Sequence, residues 1–158
     1  MNKAFNPKSV AAPQGVYSHG ILVPPGSRLL YIAGQIGVRP DGSIGPMIQE
    51  QAEAVWQNIT AVLAEGGMVI SDIVKITTFL TRQENYALFA PIRAKYLGAH
   101  RPASTLVVVQ SLARPEFLVE VEAVAAKAAP AARASRPPRR PARRVARRPA
   151  KRTIRKKR

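Results

Sequence analysis

Residues 48–65 read IQEQAEAVWQNITAVLAE, and Gly66-Gly67 follows. Ile48, Ala52, Val55, Trp56, Ile59, Val62 and Leu63 recur at spacings of three and four, which places them on one face of an α-helix. Glu50, Gln51, Glu53, Gln57 and Asn58 fall mostly on the other side. The double glycine supplies the left-handed residue at which helices commonly end. A helix with one apolar stripe needs a second layer to cover it, and the flanking sequence has the pattern of a sheet.

Downstream, 73–81 (IVKITTFLT) is β-branched and apolar, the pattern of a strand buried on at least one face. A second helical stretch covers about 83–97, with Tyr86, Phe89, Ile92, Tyr96 and Leu97 near helical spacing. Proline fits a helix best at its first position, so a short turn is expected before Pro91 and the main helix from it. Strands are expected at 104–110 and 117–125. Upstream, 14–22 (QGVYSHGIL) and 28–36 (RLLYIAGQI) flank a Pro24-Pro25-Gly26 turn and read as a hairpin. Pro40-Asp41-Gly42-Ser43 has the chemistry of another turn. The order ββαβαββ predicts an α+β domain with its helices on one face of a sheet.

The 158 residues include no Cys, which excludes a disulfide framework, a Cys-ligated zinc, an iron–sulfur cluster and a thiol nucleophile. His19 and His100 are the only histidines, too few for a His-rich metal site. The net charge of +16 points to nucleic acid until it is divided. Residues 1–126 hold 10 Lys+Arg and 9 Asp+Glu, a net of +1, whereas 127–158 hold 15 basic residues and no acid. Two parts are therefore expected, a near-neutral domain at 1–126 and a basic tail at 127–158. Residues 1–12 lack the apolar core of a secretory signal, and no apolar run approaches the ~20 residues that span a bilayer. A cytoplasmic protein is expected.

The tail is built of Ala, Pro, Arg and Lys, cannot form a core, and is expected to be disordered. It has a four-residue beat that places Arg139, Arg140, Arg143, Arg144, Arg147, Arg148, Lys151 and Arg152 as candidate polyanion contacts. Pro141 and Pro149 oppose a continuous helix. No aromatic residue occurs in 127–158, so base stacking is absent and binding to DNA or RNA should be insensitive to sequence. An acidic membrane surface is the alternative polyanion, though no apolar anchor accompanies the charges. Arg, Pro and Ala share GC-rich codons, so read-through past an ancestral stop could also yield such a tail. The beat, the Lys-rich end and the lack of acids favour a selected function, including association with the nucleoid.

Within the domain, Gly15-Val16-Tyr17-Ser18-His19 is followed by Tyr31-Ile32-Ala33-Gly34-Gln35-Ile36, Gln57-Asn58 and Asp72-Ile73-Val74-Lys75. Arg101-Pro102-Ala103 and Val119-Glu120-Val121-Glu122-Ala123-Val124-Ala125 complete the series. In order and spacing these resemble the Rid (reactive intermediate/imine deaminase, YjgF-type) family from about residue 15 to 126. The resemblance implies a chorismate-mutase-like fold with helices on one face of a mixed sheet. It also implies a homotrimer, no cofactor or metal, and a small-molecule cleft between subunits. Its best-known members hydrolyse 2-imino acids to 2-keto acids and ammonia.

That reaction needs a cation for the substrate carboxylate and a carboxyl group that positions water. The family's Pro-Ala-Arg-Ser segment supplies the cation, but here the segment is Pro102-Ala103-Ser104-Thr105. A hydroxyl cannot replace a bidentate ion pair, whose loss in a partly buried site costs about 2–5 kcal/mol. The usual imino-acid activity is therefore expected to be reduced or absent, leaving an enamine- or imine-type metabolite as ligand or substrate. Arg101 lies at odd separation from Ser104 and is expected in the strand's entry loop. Arg114, before the last strand, is the better substitute.

Glu120 matches the family's water-handling glutamate and is the candidate catalytic residue. Glu122 shares its face. Both could equally be solvated carboxylates on the sheet. Tyr17 matches the cleft tyrosine, or is a half-buried interface aromatic. Gly34 is read as a close backbone approach near the cleft, with an amide that could bind an anion. Ala90 stands where the family often carries Asn. His19 could act as acid or base, but surface hydrogen bonding is the simpler reading. Some family members have been assigned endoribonuclease activity; no obvious acid–base pair for it is visible here.

Overall fold

The structure is a computed structural model and describes residues 1–128. The tail readings, including the basic residues from Arg139 to Arg152, lie outside the described residues. Strands β1 (Lys3–Phe5), β2 (Gly20–Leu22) and β3 (Arg28–Ile36) precede helix α1 (Ile48–Glu65). A short 3-10 turn, Ile70–Asp72, leads into β4 (Ile73–Leu80), then helix α2 (Asn85–Leu97), β5 (Ala103–Val108) and β6 (Val119–Lys127). The main sheet has the order β3-β6-β4-β5. Its β3–β6 and β6–β4 pairs are antiparallel, while β4–β5 is parallel with α2 as the crossover. The sheet is mixed, and both helices pack on one face of it, as the sequence predicts.

The apolar stripe of α1 is the centre of the core. Ala52, Val55, Trp56, Ile59 and Leu63 are buried against Ile32, Ile73, Ile76, Leu80, Val119, Val121 and Ala123. α2 adds Phe89 and Leu97, and Tyr96 stacks on Trp56 with ring centroids 5.8 Å apart. Alternation along β6 sends Val119, Val121, Ala123 and Ala125 to this core, while Glu120 and Glu122 take the opposite face.

Four local expectations are corrected. The 14–22/28–36 hairpin does not form: β2 is three residues long and pairs with β1, while β3 pairs with β6. Residues 15–19 run as a loop along the outer edge of β5, where the Ser18 N–H donates to the Pro102 carbonyl. The β6 edge offers β3 a ladder from Arg28 to Ile36, far longer than the Gly- and His-broken segment could. Pro91 lies inside α2 instead of opening it. Pro91 and Ala87 are both exposed, so the Ala87 carbonyl that loses its helical donor can bond water. The last strand spans Val119–Lys127 and not 117–125, and the Lys127 Nζ donates to the Gly67 carbonyl at 2.7 Å.

The fourth correction is Gln51, placed by its type on the polar side of α1 but only 1% exposed. Its Nε2 donates to the Gly45 and Glu116 carbonyls at 2.9 and 2.8 Å, and its Oε1 accepts from the Leu118 N–H at 2.8 Å. One side chain thus ties α1 to the loop before it and to the approach to β6. Gly37 permits this, since a Cβ there would sit 2.4 Å from the Gln51 Cβ. Gln51→Leu keeps the bulk but removes all three bonds. Each buried group left unpaired costs about 1–3 kcal/mol. We expect a lowered denaturation midpoint with an unchanged denaturant slope, measured by chemical unfolding of the full chain.

Candidate functional site

β5 is an edge strand, and its register decides what faces what. Ser104 pairs with Ile76 and Thr105 with Thr77. Ile76 points into the core, so Ser104 and Leu106 face the helix layer and Thr105 and Val107 face away. On the helix side, a cavity of about 300 Å³ lies between β5, α2 and the 14–17 loop. Tyr17, Tyr86, Ala90, Arg93, Ser104 and Leu106 line it. Three positions singled out from the sequence, Tyr17, Ser104 and the Ala90 substitution, therefore meet around one space.

Arg93 is the member that sequence reasoning missed. Its Nη2 donates to the Val16 carbonyl at 2.8 Å. Burial pushes the guanidinium below its ordinary value, with the Tyr86 side chain opposing that shift and nearby Arg101 adding to it. It remains a cation, because an arginine starts too high to lose its proton in a protein. A signal was present in the sequence: Tyr86, Ala90 and Arg93 are spaced four and three, which puts them on one helix face.

Glu120 and Gly34 form a second cluster, on the other face of the sheet. The β3–β6 register shifts between Ile32 and Gln35, and the irregularity brings Gly34 against the Glu120 side chain. A methyl group at Gly34 would collide with that carboxylate. The same open face presents Tyr31, 73% exposed, and a shallow cavity of about 390 Å³ bordered by Lys75, Thr77 and Glu122. Burial lowers the Lys75 pKa, partly offset by Glu122. Within this chain, Glu120 is thus separated by the sheet from Tyr17 and Ser104.

Arg114 joins neither cluster. It pairs with Glu116, lies over the Phe117 ring at 5.2 Å, and borders a separate cavity with Thr81 and Gln110. Arg101 turns back to donate to the Gly98 and His100 carbonyls, closing the end of α2 as expected for an entry loop. The His19 ring bonds the Ala11 carbonyl and the His100 ring that of Ile73, so both histidines fasten loops. Among the described residues, no three His, Asp or Glu side chains gather as a metal site would require, and no helix is long and apolar enough to cross a membrane.

Residues 8–127 match the family model described as Endoribonuclease L-PSP. A RutC family protein of Pyrococcus abyssi is 34% identical over 117 residues, covering 73% of this chain and 89% of the relative. TdcF of Escherichia coli K12, named as a candidate reactive intermediate deaminase, is 28% identical over 133 residues, 82% of this chain and 100% of its own. The crystal structure of YyfB, a Yersinia pestis protein of unknown function in the Rid family, superposes with a TM-score of 0.70 at 31% identity. That superposition covers 78% of this chain and 97% of the other. With the helices on one face of the mixed sheet and the landmark residues in place along it, the chain belongs to the Rid (YjgF-type) family.

Proposed function

We propose that the protein is a homotrimer that takes a small imine- or enamine-type metabolite in a cleft completed between subunits, and hydrolyses it slowly. The observation that carries this reading is the division of the site: Tyr17 and Ser104 share a cavity on the helix side of the sheet, and Glu120 lies on the open side. One protomer cannot bring the three together, but a second copy packed on the open face can. That face exposes Leu29, Tyr31 and Val107, an apolar surface that favours burial against another chain.

In the assembled cleft, Glu120 accepts a proton from water as the oxygen bonds to the C=N carbon. Proton transfer to nitrogen then lets the C–N bond break, and the products are a carbonyl compound and ammonia. The hydroxyls of Tyr17 and Ser104 hydrogen-bond the substrate, and no cofactor enters the balance. Without the strand-borne arginine, turnover of 2-imino acids is low. We expect the full chain to accelerate the decay of freshly generated 2-iminopropanoate and 2-iminobutanoate weakly, followed by semicarbazide trapping. Glu120→Gln removes that acceleration. Decay no faster than in buffer would overturn the catalytic reading, and acceleration unaffected by Glu120→Gln would overturn the residue assignment.

The +15 charge of residues 127–158 favours a second reading, in which the domain is a scaffold for basic tails on DNA or RNA. A trimer gathers about 45 such charges, and linkage makes weak contacts collectively strong. The two readings are compatible, since the cleft and the tail occupy different parts of the chain. The domain then works in the cytoplasm, held near the nucleoid by its tails. Endoribonuclease chemistry gains less support, because both histidine rings are engaged with backbone carbonyls and neither lines the cavity.

A further inference from the structure

We propose that Arg93, carried on helix α2, is the anion-binding residue of the cleft and seats the carboxylate of a small ligand against the hydroxyls of Tyr17 and Ser104. The proposal rests on reading the Tyr17–Ser104 cavity as the ligand site. It goes further by assigning the cation and the charge of the ligand.

Four observations converge on this residue. Arg93 lines the cavity together with Tyr17 and Ser104 and is half-buried. Among the described residues, the ion pairs are Arg39–Glu50, Lys95–Glu53, Arg114–Glu116 and Lys127–Asp72, and none involves Arg93. A half-buried cation without a carboxylate is unfavourable unless something else compensates it. Val16 provides only one carbonyl, and Arg101 nearby adds positive potential, so an anion entering the cavity relieves both.

The Val16 bond has a second consequence. It fixes one edge of the planar guanidinium and leaves its other N–H groups for a partner, the arrangement that suits a carboxylate's two oxygens. Ala90, one turn before Arg93 on the same helix face, leaves the approach open. A volume of about 300 Å³ is at the small end of ligand pockets, which run from about 300 to 1,000 Å³. One fork in a small space fits a monocarboxylate better than a phosphate, whose extra charge and oxygens call for further donors. Ser104 in place of arginine on β5 and Arg93 on α2 thus place the cation across the cavity from the strand.

The test is calorimetric titration of the full chain with pyruvate and 2-oxobutanoate, against pyruvamide as the neutral control and inorganic phosphate as the competing anion. Wild type should bind the two acids and bind the amide much more weakly. Arg93→Gln should weaken the acids by about tenfold to a hundredfold, as expected for removal of a charged hydrogen-bonding partner, and weaken the amide by much less. Arg93→Lys keeps the charge and should recover part of the affinity, and it serves if Arg93→Gln lowers the melting temperature too far. Ser104→Ala and Tyr17→Phe distinguish the cavity as a site from Arg93 as its cation. If these weaken the acids while Arg93→Gln does not, the cavity is the site and Arg93 is not its cation. If none of them matters, or the acids do not bind, the cavity reading falls as well. Phosphate binding as tightly as pyruvate would overturn the carboxylate assignment.

Discussion

A chain ending at Ala128 is expected to bind duplex DNA at least about a thousandfold more weakly than the full protein at 50 mM salt, because non-specific affinity comes from phosphate neutralisation. The cut is placed after Lys127 because that residue belongs to β6 and bonds the Gly67 carbonyl, so its removal would disturb the fold. Residues 129–158 hold 14 Lys and Arg and no acid, while 1–128 hold 11 basic and 9 acidic residues. If six to ten tail charges meet phosphates, affinity of the full chain should fall by about 10³–10⁵ between 50 and 200 mM salt. Unrelated sequences should compete equally, since 127–158 contains no aromatic residue to stack on a base. Gel-shift titrations of both chains at several salt concentrations measure all three quantities. Equal binding by the two would mean that the tail is not a polyanion ligand.

The strongly periodic elements were legible from the sequence because burial and periodicity agreed in them. The apolar stripe of α1, the β-branched run of β4 and the alternation in β6 each bury the face that their pattern implies. The N-terminal segment was misread because local alternation cannot name a strand's partner. β3 takes β6, more than eighty residues away in the chain, and the loop at 15–19 is held by the β5 edge. Gln51 was misread for a related reason. Its side chain looks like a solvated helix residue until the loops at Gly45 and Glu116 close over it, and only tertiary structure brings those carbonyls there.

The candidate site was legible in its parts and not in its geometry. Resemblance supplied Tyr17, Gly34, Ser104 and Glu120, and the register together with the cavity lining shows that the first and third lie on a different side of the sheet from the second and fourth. Arg101 and Arg114, the substitutes that the sequence offers, are nearer to Ser104 along the chain, yet neither lines the cavity that Arg93 lines. Residues facing one cavity from different elements share no sequence period. The relevant spacing was on α2, counted from Ala90.

Ser104→Arg, which restores the strand-borne cation, is expected to raise kcat/KM for 2-imino acids by about thirtyfold or more, the inverse of the cost of losing a charged partner in a partly buried site. Position 104 faces the cavity by its register with Ile76, so the new side chain enters the space that Tyr17 and Arg93 line. The gain should appear mainly in KM, since a carboxylate contact is made equally in the ground and transition states. The decisive part is the dependence on Arg93. In wild type, Arg93→Gln should weaken the acids; in Ser104→Arg it should cost little, or help by removing a like charge from the same cavity. Residues that share one partner are non-additive, and the coupling should amount to about 0.5–3 kcal/mol. Additive effects would mean that the two positions act on different ligands or different sites. Ser104→Lys provides charge without the planar fork and should recover less, because the fork is what matches both carboxylate oxygens. Semicarbazide trapping of iminopropanoate decay, run on the four members of the cycle, separates these outcomes.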